Sequence, residues 1–129
     1  MKAYKVLGSR FDIPDNFEIM EPVGSGAYGV VVAAKDKTGG DTVDSLTAIK
    51  KIEKAFEHKV FALRTLRELK IMRLLSHDNV LSVKSLLKPD SIESFEHIYV
   101  VTELMETDLS QIIKSSQPIS DEHIQFFIY

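Results

Sequence analysis

The apolar positions of this chain change rhythm along its length. In the first half they gather in short runs, several of them β-branched, separated by turn residues; from residue 58 to 75 they recur at three- and four-residue spacing. Residues 17–23 read as a strand that ends at glycines. Residues 28–35, carrying Val30, Val31 and Val32, read as a second strand, and residues 46–52 as a third. Asp36-Lys37-Thr38-Gly39-Gly40-Asp41 is a turn cluster between them. Over 58–75, Val60, Leu63, Leu66, Leu69, Ile71, Met72, Leu74 and Leu75 make a broad apolar face interleaved with Arg64, Arg67, Lys70 and Arg73, which predicts one long helix stopped by His77-Asp78-Asn79. Residues 80–87 and 97–102 read as two more strands around a polar loop. Thr107 is placed to cap a short helix over 108–114, and Ser120 to cap another that has Asp121 and Glu122 in its first turn. Residues 1–16 are mixed, with turn chemistry at Pro14-Asp15-Asn16. The class is α+β: five strands and one long helix, then short helices.

Composition narrows the function classes. The 129 residues are 44% hydrophobic and 27% charged, ordinary for a globular chain. Sixteen basic and nineteen acidic residues leave a net charge of −3, which gives no reason to expect nucleic-acid or anionic-membrane binding. Without cysteine there are no disulfides, thiolate nucleophiles or zinc–thiolate sites. The longest unbroken apolar run, residues 30–34, falls far short of the ~20 residues that span a bilayer. The first ten residues lack the apolar segment of a secretory signal. His58, His77, His97 and His123 are scattered without metal-ligand spacing, so no metal site is expected. The sequence ends Ile124-Gln125-Phe126-Phe127-Ile128-Tyr129, with large apolar side chains and no helix stop. The expectation is a chain cut within a helix, with Phe126 and Phe127 belonging to a core not included.

Val23-Gly24-Ser25-Gly26-Ala27-Tyr28-Gly29-Val30-Val31 carries three glycines at the spacing used to approach phosphates closely. A dinucleotide-binding turn would open a helix at the third glycine, but three valines follow. A Walker loop would end in Gly-Lys-Ser/Thr, which is absent. A strand–glycine turn–strand flap over an anion remains, beside the plainer reading of a hairpin whose glycines only make the turn. Downstream, Thr47-Ala48-Ile49-Lys50 puts a lysine on a predicted strand, on the same face as Ala48. Such a lysine needs an anionic partner. Glu68, in mid-helix, is a candidate to orient it, although it could instead pair locally with Arg64 or Lys70.

Gly-x-Gly-x-x-Gly-x-Val at Gly24 to Val31, Ala48-Ile49-Lys50 and the helix acid Glu68 together resemble the N-terminal lobe of a protein kinase. Gly26-Ala27-Tyr28-Gly29, Arg64-Thr65-Leu66-Arg67-Glu68-Leu69-Lys70-Ile71, His77-Asp78-Asn79-Val80 and Leu104-Met105-Glu106-Thr107-Asp108-Leu109 are similar, in order and spacing, to the extracellular-signal-regulated branch of the MAP kinases. The likeness runs from about Phe11 to Tyr129. It implies an N-terminal extension (1–16), a kinase N-lobe (17–102) with a five-stranded antiparallel sheet and one regulatory helix, and a hinge with the first helices of a truncated C-lobe (103–129).

The resemblance also implies roles. Lys50 and Glu68 would be the catalytic pair. Val23, Val31 and Ala48 would roof the adenine of ATP, and Gly24, Ser25, Gly26, Ala27, Tyr28 and Gly29 would cover its phosphates. Thr102 would stand behind the adenine, Glu103 and Met105 on the hinge, and Asp108 and Gln111 beside the ribose. Arg64 and Arg67 would face a phosphorylated activation loop, unless they are plain surface charge. The implied partners are protein substrates and an upstream MAP kinase kinase, and the implied location is the cytoplasm or nucleus. Against this pattern, residues 38–45 carry extra turn residues, expected to form a surface loop. His-Arg-Asp, Asp-Phe-Gly and Ala-Pro-Glu occur nowhere, so ligands for the expected Mg2+ lie outside this sequence. The enzyme reading is therefore of a serine/threonine kinase whose 129-residue portion is inactive alone; a non-catalytic nucleotide- or partner-binding fragment is the alternative.

Overall fold

A computed structural model describes residues 1–26, 29–39 and 45–129. Ala27, Tyr28 and residues 40–44, which include most of the turn insertion expected at 38–45, lie outside the described residues. The strands are β1 (Lys2–Val6), β2 (Ser9–Ile13), β3 (Phe17–Gly26), β4 (Gly29–Asp36), β5 (Leu46–Ile52), β6 (Val83–Leu86) and β7 (Ile98–Glu103). The helices are α1 (Lys59–Leu74), α2 (Leu109–Lys114) and α3 (Asp121–Ile128), and Lys37–Gly39 form a 3-10 turn.

The expected five-stranded sheet is present, antiparallel throughout, in the order β3-β4-β5-β7-β6. Its register lines up side chains across the strands. Val31, Lys50 and Val100 form one row and Ala33, Ala48 and Thr102 the next. One residue over on each strand, Val32, Ile49 and Val101 form a row on the opposite face, because successive side chains alternate.

That opposite face holds the main core. Val32, Ala34, Ile49 and Val101 are buried there under Phe11 and Ile13. Both come from the stretch that showed no strand signal in the sequence. Residues 1–13 form a hairpin, β1 against β2, whose turn places Leu7 and Gly8 at positive φ (49° and 82°). Two successive left-handed residues suit the right-handed twist of a two-residue hairpin, but a leucine is an unusual choice for the first. Inward Ser9, Phe11 and Ile13 alternate with outward Arg10 and Asp12.

Lys51 ties the hairpin to β5. Its ammonium is buried and donates to the Arg10 carbonyl (2.7 Å), Glu53 Oε1 (3.1 Å) and Ser9 Oγ (3.3 Å), 5.9 Å from the centre of the Phe11 ring. The Ser9 hydroxyl also donates to Glu53. These partners satisfy all three ammonium protons, which is what permits a lysine to be buried at all.

Helix α1 lies on the other face. It seats through Phe61 and Leu69 against Ile52, Ala55 and Val100, with Thr65 buried between them. The stripe is therefore 61, 65 and 69. Most of the apolar set predicted to face the core points elsewhere: Val60, Leu63, Leu66, Ile71 and Leu74 are exposed. The helix has apolar residues on two sides, and spacing alone does not say which side meets the sheet.

Short helices follow the hinge. Asp108, rather than Thr107, is the N-cap of α2; its extended backbone and its carboxylate, which accepts the Gln111 N–H at 2.9 Å, make it so. Ser120 caps α3 as expected, reciprocally with His123. Phe126 and Phe127 meet edge-on at 6.1 Å, and Phe126 is largely exposed.

Candidate functional site

The α1-facing side of the sheet, the hinge after β7 and the start of α2 enclose a cleft of about 710 Å³. That volume lies in the range of sites for small organic ligands. Alternation on the strands builds it. Val23 on β3, Val31 and Ala33 on β4, Ala48 and Lys50 on β5, and Val100 and Thr102 on β7 all present side chains to the same space. The upper wall is thus mostly small and apolar, shaped to receive a flat ring.

Charge enters at one end. Lys50 Nζ lies 3.3 Å from Glu68 Oε1, across from mid-α1. Both groups keep about a third to a half of their surface exposed, so the ammonium is oriented by the acid and still reaches the cleft. Of the partners the sequence offered, the Glu68 carboxylate meets Lys50. Lys51, one residue later, faces away into the hairpin and serves the fold.

Other sequence candidates divide four ways. Glu103, Met105, Asp108 and Gln111 line the opposite lip of the same cleft. Gly24, Ser25 and Gly26 end β3, with Gly26 paired to Gly29 at the top of the β3–β4 hairpin. A Cβ added at Gly24 or Gly26 meets nothing within 4 Å, so those two glycines border open space. Gly29 differs, having φ of 125° and its hydrogen-side face against the Lys51 carbonyl. Ala27 and Tyr28 are outside the described residues. Arg64 and Arg67 do not reach the cleft. They flank a shallow hollow of about 270 Å³ on α1, with Ile71 and Met72.

Sequence reasoning missed several lining residues. Leu69 and Met72 close the cleft from α1, Leu81 from the turn before β6, and Leu104 and Thr107 from the hinge. Leu81 was assigned to a strand that in fact begins at Val83. Ala33 was legible, being two residues from Val31 on the same strand, and parity alone could have found it.

Chemically, the arrangement offers an apolar slot between sheet and hinge, backbone groups along 103–106, and one oriented cation beside a glycine turn. That combination suits a ligand with a planar heterocycle at one end and an anion at the other.

Comparisons with known proteins agree with this reading. The protein kinase domain model matches residues 17–129. Over 127 residues the chain is 50% identical to extracellular signal-regulated kinase 1 of Dictyostelium discoideum, a match covering 98% of this chain and 23% of that protein. It is 42% identical to mitogen-activated protein kinase 6 of Oryza sativa subsp. japonica and 45% identical to mitogen-activated protein kinase 4 of Arabidopsis thaliana, each match covering 98% of this chain and 33% of the relative. The chain thus spans between 23% and 33% of the length of these relatives.

Proposed function

The chain belongs to the protein kinase domain family, and from that premise we propose that it is the nucleotide-binding part of a MAP-type serine/threonine protein kinase. The observation that carries the proposal is the 3.3 Å Lys50–Glu68 pair at the end of an apolar cleft. ATP supplies the phosphoryl group when bound. Val23, Val31 and Ala48 hold its ring from above, with Thr102 behind, and the backbone of Glu103 to Met105 reads the ring edge. Asp108 and Gln111 border the ribose. The phosphates fall to the turn from Gly24 to Gly29, with Ser25, Ala27 and Tyr28 among its residues, and the open space beside Gly24 and Gly26 lets a ligand approach the backbone closely. Lys50 binds phosphate oxygens as a point charge, and Glu68 keeps it from folding away.

The open space at Gly24 and Gly26 and the oriented ammonium fit a nucleoside polyphosphate. Magnesium does not meet the same test: among the described residues no three acidic, histidine or cysteine groups converge. In the same family reading, Arg64 and Arg67, on α1 beside Glu68, answer a phosphorylated segment of the whole enzyme and so set the pair. Protein substrates and an upstream kinase follow from the same family reading. A second reading keeps the site and drops the chemistry: the 129 residues bind nucleotide without transferring phosphate. It is supported by the lack of any His-Arg-Asp or Asp-Phe-Gly segment in the sequence.

Calorimetric titration tests the site. ATP should bind the wild-type chain more tightly than adenosine does, and Lys50→Met should abolish that difference while leaving adenosine binding unchanged. Equal ATP affinity in the two proteins would remove Lys50 from phosphate recognition. Transfer of labelled phosphate to a basic protein by the 129-residue chain would decide against the binding-only reading.

A further inference from the structure

Helix α1 begins without a side-chain cap at His58 and without an acid in its first turn. The chain enters it through the connector from β5, residues 53–57. Two successive amides of that connector are held from the segment before β7. The Lys54 N–H donates to His97 Nδ1 at 3.0 Å, and the Ala55 N–H donates to the Glu96 carbonyl at 3.0 Å. Lys54 sits at φ 47°, a left-handed conformation that a lysine keeps only when its surroundings enforce it. Ala55 is fully buried in the cluster that receives Phe61 and Leu69, and Leu69 is the neighbour of Glu68.

We infer that His97 is a positioning residue for Glu68, acting as the neutral acceptor that latches the β5–α1 connector and thereby holds the Lys50–Glu68 pair together. The inference stands on the ion pair itself, whatever the cleft binds. An imidazole can accept at Nδ1 only while that nitrogen is unprotonated. Protonation turns the acceptor into a second donor facing the Lys54 N–H. The groups around the ring are Lys51 on β5, Glu53 and Lys54 on the connector, Glu96 beside it (4.0 Å from Nε2), Asp12 and Arg10 on β2, and Lys88 and Asp90 across the same cavity. Burial, then the Lys51 ammonium, hold the imidazole below its ordinary 6.5; the carboxylates of Glu96, Glu53 and Asp12 oppose them. The neutral latch is thus the resting form near pH 7, and it opens as pH falls through the lowered titration.

Amide exchange and lysine labelling of the full 129-residue chain test this. Corrected for intrinsic rates, protection of the Lys54 amide should be pH-independent above about pH 7 and fall about tenfold per unit through the imidazole titration. Nitrogen NMR of His97 should show the proton on Nε2 at pH 7.5. His97→Asn, whose side-chain oxygen can replace Nδ1 without titrating, should keep protection and lose its pH dependence. His97→Phe should lose protection at every pH and raise acylation of Lys50 toward the rate of Glu68→Gln. The inference is overturned if Lys54 protection in the wild type ignores the imidazole titration, or if His97→Asn retains the wild-type pH profile. Lys50 labelling unchanged in a folded His97→Phe would overturn it too. The wild-type titration decides alone if His97→Phe does not fold.

Discussion

Gly29→Ala separates what the glycine turn owes to folding from what it offers a ligand. An alanine Cβ at Gly29 would lie 1.8 Å from the Lys51 carbonyl oxygen and 2.9 Å from its carbon. Both atoms are backbone of the neighbouring strand, so no side chain can swing aside. The strands β4 and β5 must part by more than about 1 Å at this point, which disrupts the first bonds of their ladder at about 0.5–1.5 kcal/mol each. The φ of 125° adds roughly 1–3 kcal/mol of strain for any residue with a Cβ. The sum, about 2–4 kcal/mol, is a large share of the roughly 5–15 kcal/mol that holds a domain folded. Urea unfolding followed by circular dichroism reads it as a lowered midpoint at nearly unchanged slope. Gly24→Ala and Gly26→Ala, with nothing near the new methyl, should stay within about 0.5 kcal/mol of wild type. A Gly29→Ala protein as stable as these two would refute the close-approach argument.

Lys51→Ala should cost about 2–3 kcal/mol in the same assay, less than a wholly buried ion pair because Glu53 is partly solvated, while Lys50→Ala should cost under about 1 kcal/mol. Glu53 accepts from Ser9 and Lys51, and these bonds hold its carboxyl below the ordinary 4.5. The native state therefore favours the ionised form, so this stability is present above pH 4.5 and is lost as pH falls through the lowered value; Glu53→Gln should flatten that acid slope. Asp108→Ala should weaken α2 by about 1 kcal/mol and speed exchange of the Gln111 amide, whose bond to the Asp108 carboxylate is 2.9 Å.

The central strands were legible because valines and small apolar residues bounded by glycines and turn clusters leave few alternatives. The residues of β5 (Leu46–Ile52) agree with the pattern throughout, and β4 and β7 within a residue at each end. The cleft was legible mainly through resemblance; from the residues alone the turn and Lys50 were only suggestive. The β1–β2 hairpin escaped because its turn carries Leu7 where Asn or Asp usually announces a hairpin, although inward Ser9, Phe11 and Ile13 keep period two. The cap of α2 moved by one residue because Thr107 and Asp108 are both good caps, and only the backbone at Asp108 decides between them. The face of α1 was misread for a physical reason: exposed Val60, Leu63 and Leu74 weigh as heavily in a pattern as Phe61 and Leu69, which do the packing.

Adjacent Lys50 and Lys51 show where pattern reading ends. By composition they are the same residue twice, and strand parity says only that they face opposite sides. Which side is solvent is decided by an element 41 to 42 residues earlier, the hairpin that brings Ser9 and the Arg10 carbonyl over Lys51. With three acceptors, Lys51 is fixed and structural. Lys50 has the Glu68 carboxylate and keeps surface facing the cleft, so it retains capacity for an anion. The sheet thus uses one face to anchor its own N-terminus and leaves the other to the cleft, where the Glu68 carboxylate meets Lys50. Helix α1 is held at its middle by Leu69 and is led into by the bonded connector, so by the inference drawn for His97 its position sets whether Glu68 keeps Lys50 at the cleft.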